Sequence, residues 1–226
     1  MAPRLILPNT HKSAGRHTPI AAVGVEGTVG RMLTFNDLAL YTPRLLLRPL
    51  RPSDAPAVFA MFTDARFMEF VTSPPFRSID AAHDLVSRDM TAMAAGERLR
   101  LGLERVEDGA LIGNCTLFNL DQESRKAEIG YGLFGNAFGQ GYMHEALISL
   151  LGYGFSGLGL NRVQAEIDPK NINSAKSLER IGFAREGLLR ETWIFDGIVS
   201  DSAIYGLLRS DWKKYQLDGV SDSARI

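Results

Sequence analysis

The chain has 226 residues, enough for one domain with a full hydrophobic core plus a tail. Apolar residues make up 45%, charged residues 23%, and the formal net charge is -1, which excludes a disordered polyelectrolyte and offers no basic surplus for nucleic acid. The one cysteine, Cys115, cannot form an intramolecular disulfide, and no apolar run approaches the roughly 20 residues of a membrane span. A cytoplasmic protein without nucleic-acid or membrane partners is expected.

Residues 1–41 are rich in Gly, Pro, Thr and Ala and carry no sustained period. They are expected to be an N-terminal extension: a flexible arm, an extra strand segment, or sequence upstream of the domain. The domain is expected to span 42–212 and to open with a strand at Thr42-Pro-Arg-Leu-Leu-Leu-Arg-Pro-Leu50. Ser53-Asp54 reads as a helix start, with Ala57, Met61 and Phe62 following at helical spacing. Ser78-Ile-Asp80 starts a second helix, whose apolar stripe is Ala82, Leu85, Val86, Met90 and Met93. Runs at 99–105, 110–118 and 126–134 predict three strands in an antiparallel meander, with Glu107-Asp108-Gly109 as the first turn. Cys115 lies in the second run and is expected to pack rather than to act as a nucleophile.

The period then changes. Met143, Leu147, Leu150, Leu151 and Gly154 share one helix face, and 161–168 alternates as a strand. A short helix over 173–181 is closed by Gly182. Asp196-Gly197 is a hairpin signal, 203–208 reads as the last strand, and residues 213–226 are expected to be a frayed polar tail. The order predicts an α+β, or mixed α/β, sheet with helices on both faces. The histidines, His11, His17, His83 and His144, show no metal-ligand spacing, so no metal site is expected.

Chemistry concentrates where a strand runs through Glu128-Ile-Gly-Tyr-Gly-Leu-Phe134 into Phe138-Gly-Gln-Gly-Tyr-Met143. Gly139 and Gly141 let backbone N–H groups approach an anion at a helix start, where a phosphate is a natural guest. The same glycines also suit a plain tight turn, and these residues alone do not separate the two readings. Neither the nucleotide P-loop pattern nor the full dinucleotide fingerprint is present.

Seven pieces then occur in order: Thr42-Pro-Arg-Leu-Leu-Leu-Arg48, Ala127-Glu-Ile-Gly-Tyr131, Gly139-Gln-Gly-Tyr142 with Glu145-Ala146, Asn171 with Ser174, Gly182-Phe183, Glu186-Gly-Leu-Leu-Arg190 and Asp196-Gly197. With them the chain resembles the GCN5-related N-acetyltransferases (GNAT), in particular the RimJ/RimL-type branch that modifies ribosomal-protein N-termini. Asn136 departs from the Gln/Arg that opens the family's phosphate-loop pattern. The resemblance implies the acyl-CoA N-acyltransferase fold, a mostly antiparallel sheet of about seven strands with a splay between the fourth and fifth, 126–134 and 161–168. It implies acetyl-CoA as cosubstrate, held by Leu133, Phe134, Phe138, Gly139, Gln140, Gly141, Tyr142, Met143, Asn171 and Ser174.

Within that frame Glu128 is the expected base for the acceptor amine, the alternative being a salt-bridged or solvated strand carboxylate. A backbone N–H near Phe134 is the expected oxyanion donor. Many relatives place a tyrosine where this chain has Leu178, so Ser174 becomes the expected partner of the sulfur. Asn171, Asn173 or Ser174 also fits a plain helix cap. Tyr131 and Tyr142 are read as packing or pocket residues, His144 as a solvated surface residue, and Arg48, Arg100 and Arg190 as structural pairs. Glu191, Trp193 and the 67–76 segment are placed near the acceptor. The expected acceptor is a protein N-terminal α-amine; a small amine (polyamine, amino acid or antibiotic) and a silent acyl-CoA-binding module are the alternatives. Either a monomer or a homodimer is compatible.

Overall fold

The computed structural model describes residues 34–223. One eight-stranded sheet has the order β1-β2-β3-β4-β5-β6-β8-β7. Its strands are β1 (Leu40–Tyr41), β2 (Leu45–Pro49), β3 (Leu99–Arg105), β4 (Leu111–Asp121), β5 (Lys126–Leu133), β6 (Arg162–Ile167), β7 (Ala184–Phe195) and β8 (Ile198–Leu208). All pairings are antiparallel except β5 with β6. The helices are α1 (Ala55–Thr63), α2 (Ala65–Met68), α3 (Ile79–Ala94), α4 (Tyr142–Ser156), α5 (Ile172–Arg180) and α6 (Arg209–Ser223).

Strand alternation divides the sheet into two unlike faces. Leu45, Leu47, Leu99, Leu101, Leu103, Cys115, Leu117, Ala127, Ile129 and Tyr131 point to the first face and join one buried cluster with α4 and α5. Burial pushes the Cys115 thiol well above its ordinary value, as suits a packing residue. The second face carries Arg48, Arg100, Asn114, Thr116 and Glu128, alternating with the first set along the same strands. A smaller cluster from α1, α2 and α3 covers much of it, including Val58, Phe62, Phe67 and Val86. Gly132 lies beneath Phe67, whose ring stands 2.6 Å from where a Cβ would be, so only glycine admits that close approach.

The buried charges of the second face are paired. Arg48 bonds Asp54 at 2.7 and 3.0 Å and also Glu104. Arg100 faces Asp89 of α3 at 3.0 Å.

Several details differ from the sequence expectation. Residues 1–33 of the expected extension lie outside the described residues. Its described end is packed: Phe35 is fully buried and its N–H bonds the Met93 carbonyl at 3.0 Å. Met90 breaks the expected stripe of α3, being 41% exposed, because it turns away from both clusters. The polar tail after Trp212 is not frayed from its start; it continues α6, anchored by Trp212 stacked between Phe155 and Tyr215. The sheet has eight strands because the two-residue β1 extends the edge. The Asp196-Gly197 turn has positive φ at both residues, 49° and 74°, the geometry that matches a tight hairpin to strand twist.

Candidate active site

The parallel ladder between β5 and β6 is only three residues long, Lys126–Glu128 against Arg162–Gln164. Both strands continue beyond it, β5 to Leu133 and β6 to Ile167, without pairing to each other. The sheet therefore opens in a V past Glu128. Phe134 donates its N–H to the Ile112 carbonyl of β4 at 3.1 Å. Successive residues of a strand present their backbone groups to opposite edges, so Tyr131 and Leu133 offer theirs to the open side. The expected oxyanion donor near Phe134 is therefore not Phe134 itself, whose N–H bonds β4. Its ring packs with the α1–α3 cluster rather than on the first face.

Where β5 ends, the chain turns into α4. Gly139 and Gly141 have φ of 75° and 79°, values at which a side chain is strained. Gly141 is the N-cap and makes no side-chain capping bond. The first-turn N–H groups of Tyr142, Met143 and His144 have no carbonyl partner within the helix and carry its partial positive charge. The loop is clamped from β2's approach. Arg44 bonds the Gln140 carbonyl at 2.9 Å and the Glu145 carboxylate at 2.7 Å, and its guanidinium lies 4.6 Å from the Tyr142 ring centroid. Two of the sequence pieces, one at 42–48 and one at 139–146, thus meet in space. Burial pushes the Glu145 carboxyl up, but bonds from Thr42 and Arg44 bring it below its ordinary value.

A cavity of about 530 Å³ lies beside this loop. Tyr131 and Leu133 of β5, Phe138, Gly139, Gly141, Met143 and His144 line one side. Asn173, Ser174, Lys176, Ser177 and Arg180 of α5 line the other. The expected cofactor residues Leu133, Phe138, Gly139, Gly141, Met143 and Ser174 therefore come together. Gln140 and Tyr142 sit behind the loop against Arg44. Asn171 caps α5, its side-chain oxygen accepting from the Ser174 N–H at 3.1 Å.

His144 lines the cavity instead of facing solvent. Burial, and then the Arg180 charge, hold its imidazole below the ordinary 6.5. Lys176 and Arg180 were not singled out from the sequence, although Asn173, Lys176, Ser177 and Arg180 follow helical spacing and so share a face. Tyr131, read as a packing or pocket residue, lines the cavity. Its hydroxyl lies 2.8 Å from Ser174 Oγ, with both residues buried.

Acetyl-CoA, a cosubstrate rather than a resident group, fits this cavity. First-turn N–H groups together with Lys176 and Arg180 suit phosphates, and the open edges of the V suit the amides of its arm. Among the described residues no group of His, Cys, Asp or Glu is placed to hold a metal ion. No described helix is long and apolar enough to cross a membrane.

Glu128 lies on the opposite face, at the last paired position of β5, half-buried, with Asn119 Nδ2 donating to it at 2.9 Å. Among the described residues no cation bridges it; a side-chain amide holds it. On the neighbouring arm, Glu166 accepts from Trp193 Nε1 at 2.7 Å and from Ser202. Leu189 and Trp193, on either side of a register shift in β7, pair with Ser202 and Ser200 and lie on this face. Glu191, in the shift, has φ 53° and its N–H bonds Asp201 at 2.9 Å.

A family model described as "Acetyltransferase (GNAT) domain" matches residues 44–184. The chain is 34% identical over 173 residues to the N-acetyltransferase p20 of Bacillus licheniformis, covering 76% of this chain and 97% of that one. It is 29% identical over 118 residues to the ribosomal protein uS5-alanine N-acetyltransferase of Escherichia coli, covering 52% of this chain and 61% of that one. A crystal structure of an acetyltransferase superposes with a TM-score of 0.70 at 30% identity, over 77% of this chain and 99% of that one. With its splayed strands and glycine loop, the chain belongs to the GNAT family and is an acetyl-CoA-dependent N-acetyltransferase.

Proposed function

We propose that the acceptor is a protein N-terminal α-amine and that Glu128 takes its proton. The observation that carries this is the position of Glu128. It stands where the V begins to open, on the face opposite the donor cavity, half-buried rather than enclosed. Leu189 and Trp193 continue that face toward the sheet edge, and Leu189 is half-exposed. Such an open, partly apolar shelf suits an extended peptide better than a small cation. The relative acting on ribosomal protein uS5 points the same way.

The cosubstrate supplies an acetyl thioester. The new bond joins the amine nitrogen to the acetyl carbon, and the bond that breaks is carbon–sulfur. One amine proton leaves to Glu128, directly or through a water. The sulfur departs as a thiolate and takes one proton to end as the free thiol. Glu128 acts as base, and Asn119 fixes its carboxylate. The open-side N–H groups of Tyr131 and Leu133 face the oxygen on which negative charge develops. Ser174 donates a hydrogen bond to the sulfur. Gly139, Gly141 and the α5 cations hold the phosphates, so that the two reactants meet in the V.

The test is turnover of acetyl-CoA over a panel of N-terminal peptides, lysine peptides, polyamines and amino acids. Peptides with a free α-amine are expected to turn over fastest. Glu128→Gln is expected to lower kcat/KM by about 10²–10⁴-fold, the range of positioned acid–base groups, with CoA affinity unchanged. A preference for polyamines would replace the peptide reading. An unaffected Glu128→Gln rate would remove Glu128 from the mechanism.

A further inference from the structure

We propose that Tyr131 is a positioning residue for the departing sulfur, its hydroxyl donating to Ser174 Oγ and thereby turning the Ser174 proton into the donor cavity. The inference rests on the donor-site placement and on Ser174 as partner of the sulfur, and it concerns how that partner is oriented.

The two hydroxyls come from different elements, β5 and α5, and approach to 2.8 Å. Tyr131 is 3% exposed and Ser174 1%, yet both line the donor cavity. Each hydroxyl has one proton, so the pair has two polarities. If Ser174 donates to Tyr131, the phenol proton is left to the Ser174 carbonyl at 3.4 Å, a long contact. The serine proton is then spent inside the pair and does not face the cavity. If Tyr131 donates to Ser174, the serine proton is free to point outward. A thiolate only accepts hydrogen bonds, so its presence selects the second arrangement. The resulting chain runs from phenol to serine to sulfur, each bond strengthening the next in a low-dielectric setting.

The chain orients; it does not ionise. Burial pushes the Tyr131 phenol well above its ordinary value, although the Ser174 bond pulls the other way. The phenol therefore keeps its proton, and the proton that finally converts thiolate to thiol comes from solvent. Leu178, one turn beyond Ser174 on α5, is fully buried in the first cluster and has no hydroxyl to offer.

The experiment is an ultraviolet titration of the CoA thiol bound to the full chain, with no acceptor present. Tyr131→Phe keeps the buried ring and removes one oxygen. It is expected to raise the bound thiol's pKa by about one unit, the scale of one hydrogen bond in such a chain, while leaving CoA affinity at acidic pH unchanged. Ser174→Ala is expected to give a shift at least as large. The double variant should match Ser174→Ala alone, since the two act as one chain. With acetyl thioesters of more acidic thiols, the kcat loss of Tyr131→Phe should shrink. An unmoved thiol pKa in Tyr131→Phe would overturn the proposal, and so would additive effects in the double variant. Failure of the peptide reading leaves the titration intact, because no amine takes part. Failure of the native chain to bind CoA would overturn the donor placement and this inference with it.

Discussion

On the α4–α5 face of the sheet, the donor cavity joins backbone groups, from two glycines at positive φ, the first turn of a helix and two parted strand edges, to the α5 side chains Ser174, Lys176 and Arg180. On the α1–α3 face, the proposed acceptor surface presents side chains, Glu128 held by Asn119 and Glu166 held by Trp193 and Ser202. The contrast follows from what each side must recognise. A phosphate-bearing arm common to many enzymes is met by N–H groups that every residue owns. The glycine loop is therefore legible in this sequence, while the proposed acceptor face rests on a few side chains.

That contrast can be broken from either side. The largest effect is expected in the scaffold of the acceptor face. Asp54→Asn leaves Arg48, 5% exposed, with only Glu104 as its charged partner. Removing one member of such a buried pair is expected to cost about 3 kcal/mol at neutral pH, read by denaturant unfolding. Burial alone pushes the Asp54 carboxyl up, but Arg48 and the Arg51 N–H reverse this and hold it below its ordinary 3.8. A depressed carboxylate contributes stability that is fully present above the ordinary value and is lost as pH falls through the folded one. The native chain should therefore lose stability below about pH 4, and Asp54→Asn should show a flatter acid limb.

On the donor side, Gly141→Val places a branched side chain at φ 79°. The left-handed penalty of about 1–2 kcal/mol predicts roughly ten-fold weaker CoA binding, by calorimetry, with little change in the acceptor KM. The smallest effect is expected at Trp193→Phe. It removes the Nε1 donor to Glu166 and Ser202. A loss of about 1 kcal/mol predicts a few-fold rise in acceptor KM with CoA affinity unchanged. A CoA defect in Trp193→Phe would show that the faces are coupled.

The same contrast explains what could be read in advance. Strand alternation at 99–105 and 126–134, helical spacing in α4 and the Asp196-Gly197 turn are local signals, and those elements form where expected. The short ladder at Lys126–Glu128 was anticipated only through resemblance, because where two strands part is decided by packing rather than by either strand. Tyr131 looks like any buried strand aromatic until α5 places Ser174 against it, 43 residues away. Arg44 gives no sign that it will clamp Gln140 and Glu145, about a hundred residues later. The helical continuation past Trp212 is hidden by polar residues, among which Trp212 stacks on Phe155 and Tyr215.

Hydrogen–deuterium exchange of the full chain, with and without CoA, tests the division between the faces most directly. CoA is expected to slow exchange at 131–145 and 172–180 and to leave 55–90 and 184–208 unchanged. Protection centred on α1–α3 or on the β7–β8 hairpin would contradict it.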